Sequence, residues 1–209
     1  KGVLINGPVS KKNFLKNKYL GITEYLSHKT NSKNEVMLIY NDKLSVTPIT
    51  THIPLKHVVK KINKKVIIKN IIKINNFYTK KLNKIAKIAI LGVNPHCETI
   101  DNYSEEKEII LPAIKFLKKN KINIDGPFPA DTFFMEKNLK KYNVVVGMYH
   151  DQVLTPIKTI YKFNAVNLTL GLPFIRISPD HGPNSEMLGR NLSDSSSLKH
   201  AMKFIEKLK

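Results

Sequence analysis

A single cysteine, Cys97, stands in a chain of 209 residues. One thiol excludes an internal disulfide framework and a CxxC metal site. It fits a reducing cytosol, so the cytoplasm is the expected location. No apolar run approaches the roughly 20 residues that a membrane helix needs, and no membrane partner is expected. No secretory leader is visible. The compact HExxH metal motif is missing, as is the GxGxxG turn of a standard dinucleotide site. There is no internal repeat and no long linker. An initiator Met is absent too. The chain begins at Lys1, and Gly2-Val3-Leu4-Ile5-Asn6-Gly7 reads as a buried strand running into a turn. The expectation is therefore that an N-terminal part of a longer protein is missing here.

Acidic residues are scarce, with 16 Asp+Glu against 35 Lys+Arg and a formal net charge of +19. One reading is nucleic-acid binding, because Lys and Arg neutralise phosphates. The other is codon bias, since nearly all of the excess is Lys and both Asn and Ile are abundant, as an AT-rich genome produces. The lysines are spread along the chain, densest at residues 56–87, with no interleaved aromatics and no RNA-binding motif. Bias ranks first, and no nucleic-acid partner is expected. The positive field can still draw in an anionic substrate.

The chain has a hydrophobic content of 42%, enough to fill a core. Val3–Ile5, Val36–Tyr40, Ile88–Gly92 and Val144–Met148 read as short buried strands flanked by turn formers or polar residues. Glu105–Lys119 reads as an amphipathic helix interrupted at Pro112. Ser104 is its expected N-cap, and Glu105, Glu106 and Glu108 suit the positive end of the helix dipole. His57–Lys84 reads as partly helical with a break at Asn75-Asn76, and Ser195–Lys209 as a closing helix. Alternating strands and helices predict an α/β fold, with a mixed, mainly parallel sheet covered by helices on both faces.

Three dense stretches interrupt the Lys/Asn/Ile background: Thr50–Leu55, Leu91–His96 and Met148–Gln152. Each carries a histidine, respectively His52, His96 and His150. Two follow a predicted strand directly and His52 follows a less distinct one. Ligands in open α/β sheets sit at the carboxyl ends of strands, and three neutral imidazoles around a divalent cation leave positions for water or substrate. Spacing alone does not establish the cluster, because a lone histidine is more often a surface or satisfied core residue. His28, His57 and His200 lie in polar surroundings and read as surface residues, and His181 is intermediate.

The same stretches carry a resemblance. Gly7-Pro8-Val9-Ser10-Lys11, Gly21-Ile22-Thr23-Glu24, Thr51-His52-Ile53-Pro54-Leu55, Asn94-Pro95-His96, Gly126–Thr132, Tyr149-His150-Asp151-Gln152, Asn167–Arg176 and Asp180-His181-Gly182 resemble the motifs of the 4-hydroxythreonine-4-phosphate dehydrogenases of vitamin B6 biosynthesis, the PdxA family. The resemblance runs over nearly the whole chain. It implies an isocitrate/isopropylmalate dehydrogenase-like architecture of two subdomains, here incomplete. Residues 1–50 and 131–209 would hold the metal and substrate regions, and 85–130 part of the second subdomain. It implies an NAD- (or NADP-) dependent oxidation of 4-phosphooxy-L-threonine, followed by loss of carbon dioxide to give 3-amino-2-oxopropyl phosphate. A divalent metal (Zn, Mg, Mn or Co) would be held by His52, His96 and His150 and shared across a homodimer. Substrate contacts carry over to Thr23, Lys158, Asn167 and Arg176.

The residue types suit that chemistry. A bound metal lowers the pKa of the reacting hydroxyl and stabilises the charge left by decarboxylation. Arg176 can grip phosphate or carboxylate as a fork and Lys158 as a point charge. Asp131, Asp151 and Lys158 are the candidate catalytic residues, the two carboxylates to orient a histidine or relay protons. Their bland alternatives are a helix cap for Asp131 and a solvated turn for Asp151. Hydride transfer belongs to the cofactor, which the protein positions.

Three positions depart from the family pattern. Ile22 replaces a substrate-contacting histidine, Gly182-Pro183 replaces Gly-Thr, and Val153 replaces a glycine. They leave two further readings open, a relative acting on another phosphorylated hydroxy acid such as a four-carbon sugar-acid phosphate, and an inactive divergent copy.

Overall fold

The computed structural model describes residues 2–10, 12–16, 18–19, 21–33, 35–162, 164–179, 185–187, 189–192 and 194–208. Its strands are β1 (Val3–Ile5), β2 (Val36–Tyr40), β3 (Ser45–Pro48), β4 (Ile88–Leu91), β5 (Ile124–Phe128), β6 (Val144–Gly147), β7 (Val166–Leu170) and β8 (Ile175–Pro179). Its helices are α1 (Ile22–Lys29), α2 (Val58–Lys61), α3 (Lys64–Lys81), α4 (Leu111–Lys119), α5 (Ala130–Phe133), α6 (Glu136–Lys141), α7 (His150–Tyr161) and α8 (Ser196–Ile205). They form two compact units, residues 1–41 with 161–208, and residues 42–160. None of the described helices is long and apolar enough to cross a membrane.

The unit of residues 42–160 has the strand order β3-β6-β4-β5, all parallel. Every residue of β3, β4 and β6 is buried. Strands covered on both faces read as unbroken apolar runs, and Val144-Val145-Val146 is such a run. The helix α3 buries Ile67, Ile71, Ile74, Phe77 and Tyr78 at helical spacing and leaves its lysines outward. It starts at Asn63, whose side chain accepts the Val66 N–H at 3.0 Å. The expected break at Asn75-Asn76 does not occur, because α3 runs through it and the chain breaks at Ile62-Asn63 instead. An asparagine is mildly unfavourable inside a helix, and the buried Ile71–Tyr78 stripe outweighs that preference.

The interruption expected at Pro112 lies just upstream, as a wide π-type turn over Glu106–Ile110 before α4 begins at Leu111. The ring of Pro112 crowds the carbonyl four residues back and offers no N–H, so the preceding turn opens. α4 ends in a Schellman motif with Lys121 at φ +61°. The Ile122 N–H donates to Leu117 O and the Lys121 N–H to Lys118 O.

The other unit has the strand order β1-β8-β7-β2. β1 runs parallel to β8, while β8 with β7 and β7 with β2 are antiparallel. The helix α8 packs on β7 and β8 with Phe204 and Ala201 buried, and Phe204 packs against Tyr40 with centroids 4.6 Å apart and planes tilted by 59°. The mixed, mainly parallel α/β class matches the expectation.

Candidate functional site

Three loops leave the carboxyl ends of β3, β6 and β4, which are neighbours in that order and parallel. They carry His52, His150 and His96. Polar side chains stitch these ends together. Thr50 Oγ1 donates to Met148 O at 2.7 Å, tying the His52 loop to the His150 loop. The Met148 N–H donates to Gln152 Oε1 at 2.7 Å, and Gln152 Nε2 donates to Gly92 O at 2.8 Å, reaching the strand that leads to His96.

His52 and His150 come together, with ring centroids 5.4 Å apart and planes tilted by 45°. His150 opens α7 and is half-buried. Its Nδ1 is 2.6 Å from Asp151 Oδ1. With Nδ1–H donating to that carboxylate, Nε2 is left as the acceptor or ligand nitrogen. His96 is 74% exposed and has Asp131 as its acidic neighbour, 4.0 Å from Nδ1 to Oδ2. Asp131 lies in the first turn of α5, where Pro129 is the cap residue and the Asp131 side chain does no capping. Within one chain His96 does not join His52 and His150. Among the described residues there is no group of three His, Cys, Asp or Glu side chains able to hold a metal. Two adjacent imidazoles, one steadied by a carboxylate, suit a divalent cation as part of a donor set.

The loop bearing His96 is held by a residue that sequence reading missed. Glu106, 2% exposed, takes the Val93 and Asn94 N–H groups on Oε1 at 2.7 and 2.9 Å. Its Oε2 takes Asn94 Nδ2 and Ser104 Oγ, both at 2.9 Å. Burial pushes its pKa up, but the Asn94 and Val93 bonds outweigh this and leave it below the usual glutamate value. Ser104 thus does two things: its hydroxyl donates to Glu106 and accepts the Lys107 N–H in a long capping bond of 3.5 Å, while its carbonyl takes the Glu108 N–H at 2.9 Å. Nothing in a Glu-rich first turn marks one member as buried.

His96 and Cys97 follow with φ of +56° and +60°, two successive left-handed residues that are not glycine. Such residues cost on the order of 1–3 kcal/mol each and persist only where the surroundings dictate them. A Cβ on Gly92 would sit 2.6 Å from Cys97 Sγ, so the close approach requires glycine there. Burial, with Glu106 nearby, pushes the Cys97 thiol up to about 11, which leaves it protonated and a poor nucleophile near neutrality.

A second polar cluster belongs to the unit of residues 1–41 and 161–208. Arg176 on β8 is 3% exposed. Its Nε donates to Asn6 Oδ1 at 2.8 Å, and Nη1 donates to Thr23 Oγ1 at 3.2 Å and Thr169 Oγ1 at 3.0 Å. Burial pulls its pKa down to about 10, against the pull of Glu24, so it remains a cation at neutral pH. Asn167 shares a face of β7 with Thr169, two residues on. Asn167 Oδ1 and Glu24 Oε2 are buried acceptors without a hydrogen-bond partner among the described residues. Thr23 is half-buried at the start of α1, beside half-buried Ile22. Lys158 is half-buried on α7 in the 42–160 unit. Lys11 and the Asp180-His181-Gly182-Pro183 stretch lie outside the described residues.

Val153, where the family pattern has glycine, is fully buried and packs over Gly147: a Cβ there would sit 2.5 Å from Val153 Cγ1. The exchange is absorbed inside the unit.

Residues 2–205 match the family model described as pyridoxal phosphate biosynthetic protein PdxA. A 4-hydroxythreonine-4-phosphate dehydrogenase of Sulfurihydrogenibium sp. (strain YO3AOP1) is 43% identical over 210 residues, which cover 99% of this chain and 65% of that protein. One from Aquifex aeolicus (strain VF5) is 40% identical over 191 residues, 91% of this chain and 59% of that protein. The crystal structure of a 4-hydroxythreonine-4-phosphate dehydrogenase from Klebsiella pneumoniae superposes with a TM-score of 0.83 at 32% identity, over 98% of this chain and 63% of that one. The chain thus spans less than two thirds of the length of these relatives. The match of nearly every residue to one family model, with a fold shared at that TM-score, shows that the chain belongs to the PdxA family of pyridoxal phosphate biosynthetic proteins.

Proposed function

We propose that this chain supplies the metal- and substrate-binding groups of a dehydrogenase that oxidises 4-phosphooxy-L-threonine and releases carbon dioxide, giving 3-amino-2-oxopropyl phosphate with NAD (or NADP) as hydride acceptor. The observation that carries this reading is the His52–His150 pair at adjacent parallel strand ends, with Asp151 on His150 Nδ1. On this reading a homodimer completes the donor set, His52 and His150 coming from one protomer and His96 from the other. The ion would be Zn, Mg, Mn or Co, and when bound it acidifies the substrate hydroxyl and stabilises developing negative charge on oxygen.

The chain's own residues do the rest. Asp151 fixes the tautomer and direction of the His150 ring. Asp131, exposed beside His96, can orient that ring or accept the hydroxyl proton. Arg176 keeps its charge, and with Thr23 and Asn167 it supplies contacts to the phosphorylated substrate. Lys158 adds a second cation for phosphate or carboxylate, or a proton donor to the carbon that loses carbon dioxide. Glu24 Oε2 and Asn167 Oδ1, buried and without a hydrogen-bond partner among the described residues, favour a substrate bearing an ammonium group, because three N–H donors can satisfy acceptors whose isolation costs about 1–3 kcal/mol apiece. That supports the amino acid over a sugar-acid phosphate. The single cysteine of this chain, with this chemistry, fits the cytoplasm.

The test is NADH formation by the full-length protein with 4-phosphooxy-L-threonine and each divalent ion. Turnover lost in His52→Ala and His150→Ala supports the reading, and no turnover with any ion overturns it. Ile22 favours a second reading, since it offers no side-chain hydrogen bond next to Thr23. Turnover of a four-carbon sugar-acid phosphate in preference to the amino acid would establish that one.

A further inference from the structure

We infer that Glu106 is the positioning residue of His96, a buried carboxylate that sets the conformation of the loop presenting that imidazole. The inference rests on the proposed role of His96 as a metal ligand. A carboxylate accepts about four hydrogen bonds, and Glu106 receives four, from the Val93 N–H, the Asn94 N–H, Asn94 Nδ2 and Ser104 Oγ. Three of them come from the two residues that lead into Pro95-His96. Burying a charge for stability alone is a poor solution, because an apolar side chain of similar size fills the same space without desolvation.

What the charge supplies is direction. Two successive backbone N–H groups aimed at one oxygen fix the peptide planes of residues 93 and 94. Pro95 then fixes its own φ. The Cys97 and Glu98 N–H groups close back on Asn94 O and Pro95 O, both at 3.0 Å. Between these anchors His96 and Cys97 adopt left-handed φ, and the His96 ring is held outward, exposed, with Asp131 at its Nδ1. Glu106 itself lies in the π-type turn ahead of α4. That geometry recurs where a helix is adapted to a local task.

Glu106→Gln keeps the volume and turns one acceptor into a donor facing N–H or O–H groups. In the full-length protein, Co²⁺ binding followed by visible absorption is expected to weaken about 10–100-fold, as for other residues that orient a ligand. Amide hydrogen exchange at Val93 and Asn94 is expected to speed up while Ile88–Leu91 and Leu111–Lys119 keep their protection. Wild-type Co²⁺ affinity in Glu106→Gln, or protection lost evenly over β4 and α4, overturns the inference. His96→Ala separates the two levels. If it leaves Co²⁺ affinity unchanged, the ligand reading fails. If it abolishes binding while Glu106→Gln binds as wild type, only the positioning role fails. Should Glu106→Gln not fold, Asn94→Ala removes the side-chain donor alone. Weaker Co²⁺ binding in a folded Asn94→Ala protein then supports the role, and wild-type binding overturns it.

Discussion

Arg176 shows how much one residue can organise. Three of its hydrogen bonds join the end of β1, α1 and β7 to β8 through Asn6, Thr23 and Thr169. Lys is no substitute, since a point charge cannot reproduce the planar fork. Arg176→Lys is expected to cost about 1–3 kcal/mol of stability by stranding buried partners, read as a lower urea midpoint with an unchanged slope. Glu106 gives a pH-dependent prediction. Its folded pKa is depressed, so its stabilising contribution is present above the unfolded value of about 4.3 and lost as pH falls through the folded value. The stability difference between wild type and Glu106→Gln should therefore be largest near neutral pH and shrink on acidification below about 4.3. Chemical denaturation at several pH values measures it, and a difference that stays constant down to acid would refute the assignment. The three histidines were legible as candidates because each sits in a dense motif at a strand end. Glu106 was not, because its sequence neighbours Glu105 and Glu108 are the same type and only burial distinguishes them.

At the scale of the element, local propensity was a good guide to ends and a poor one to interiors. Lys119 as the end of α4 was readable from the helix pattern, whereas continuity through Asn75-Asn76 depended on a buried stripe made by distant partners. The same reasoning yields two predictions. Lys121 occupies the left-handed position of a Schellman motif, where glycine avoids the Cβ penalty. Lys121→Gly should raise stability by up to about 1 kcal/mol, net of the glycine entropy cost, seen as a higher melting temperature. Gly147→Ala should do the reverse. Its Cβ would drive into Val153 Cγ1 at 2.5 Å and Gln152 Oε1 at 3.1 Å, costing about 1–3 kcal/mol. Adding Val153→Gly should restore part of that loss, and a double-mutant cycle with no coupling would show that the two do not share the space.

For the whole molecule, the sequence indicated a mixed α/β class and its resemblance pointed to the PdxA family, since alternating apolar runs and dense motifs are local signals. The division into units of residues 42–160 and 1–41 with 161–208 was not visible, because pairing β1 with β8 joins residues 3–5 to 175–177 and no local pattern encodes such a partnership. The +19 charge carries its own prediction. The aromatics among the lysines of α3, Phe77 and Tyr78, are buried and offer no stacking platform, so duplex DNA binding measured by anisotropy should be negligible at about 0.15 M salt. Tight binding there would reinstate the nucleic-acid reading.

That discontinuity also sets an order of events during synthesis. Residues 42–160 hold every strand of their own unit, so this unit can close while the ribosome is still making β7 and β8. β2, by contrast, emerges long before β7, the antiparallel partner that pairs Val36–Tyr40 with Val166–Leu170. Until then the nascent chain carries a waiting apolar segment, Val36-Met37-Leu38-Ile39-Tyr40, and an unpaired strand of that kind is what chaperones shield and neighbouring chains can pair with.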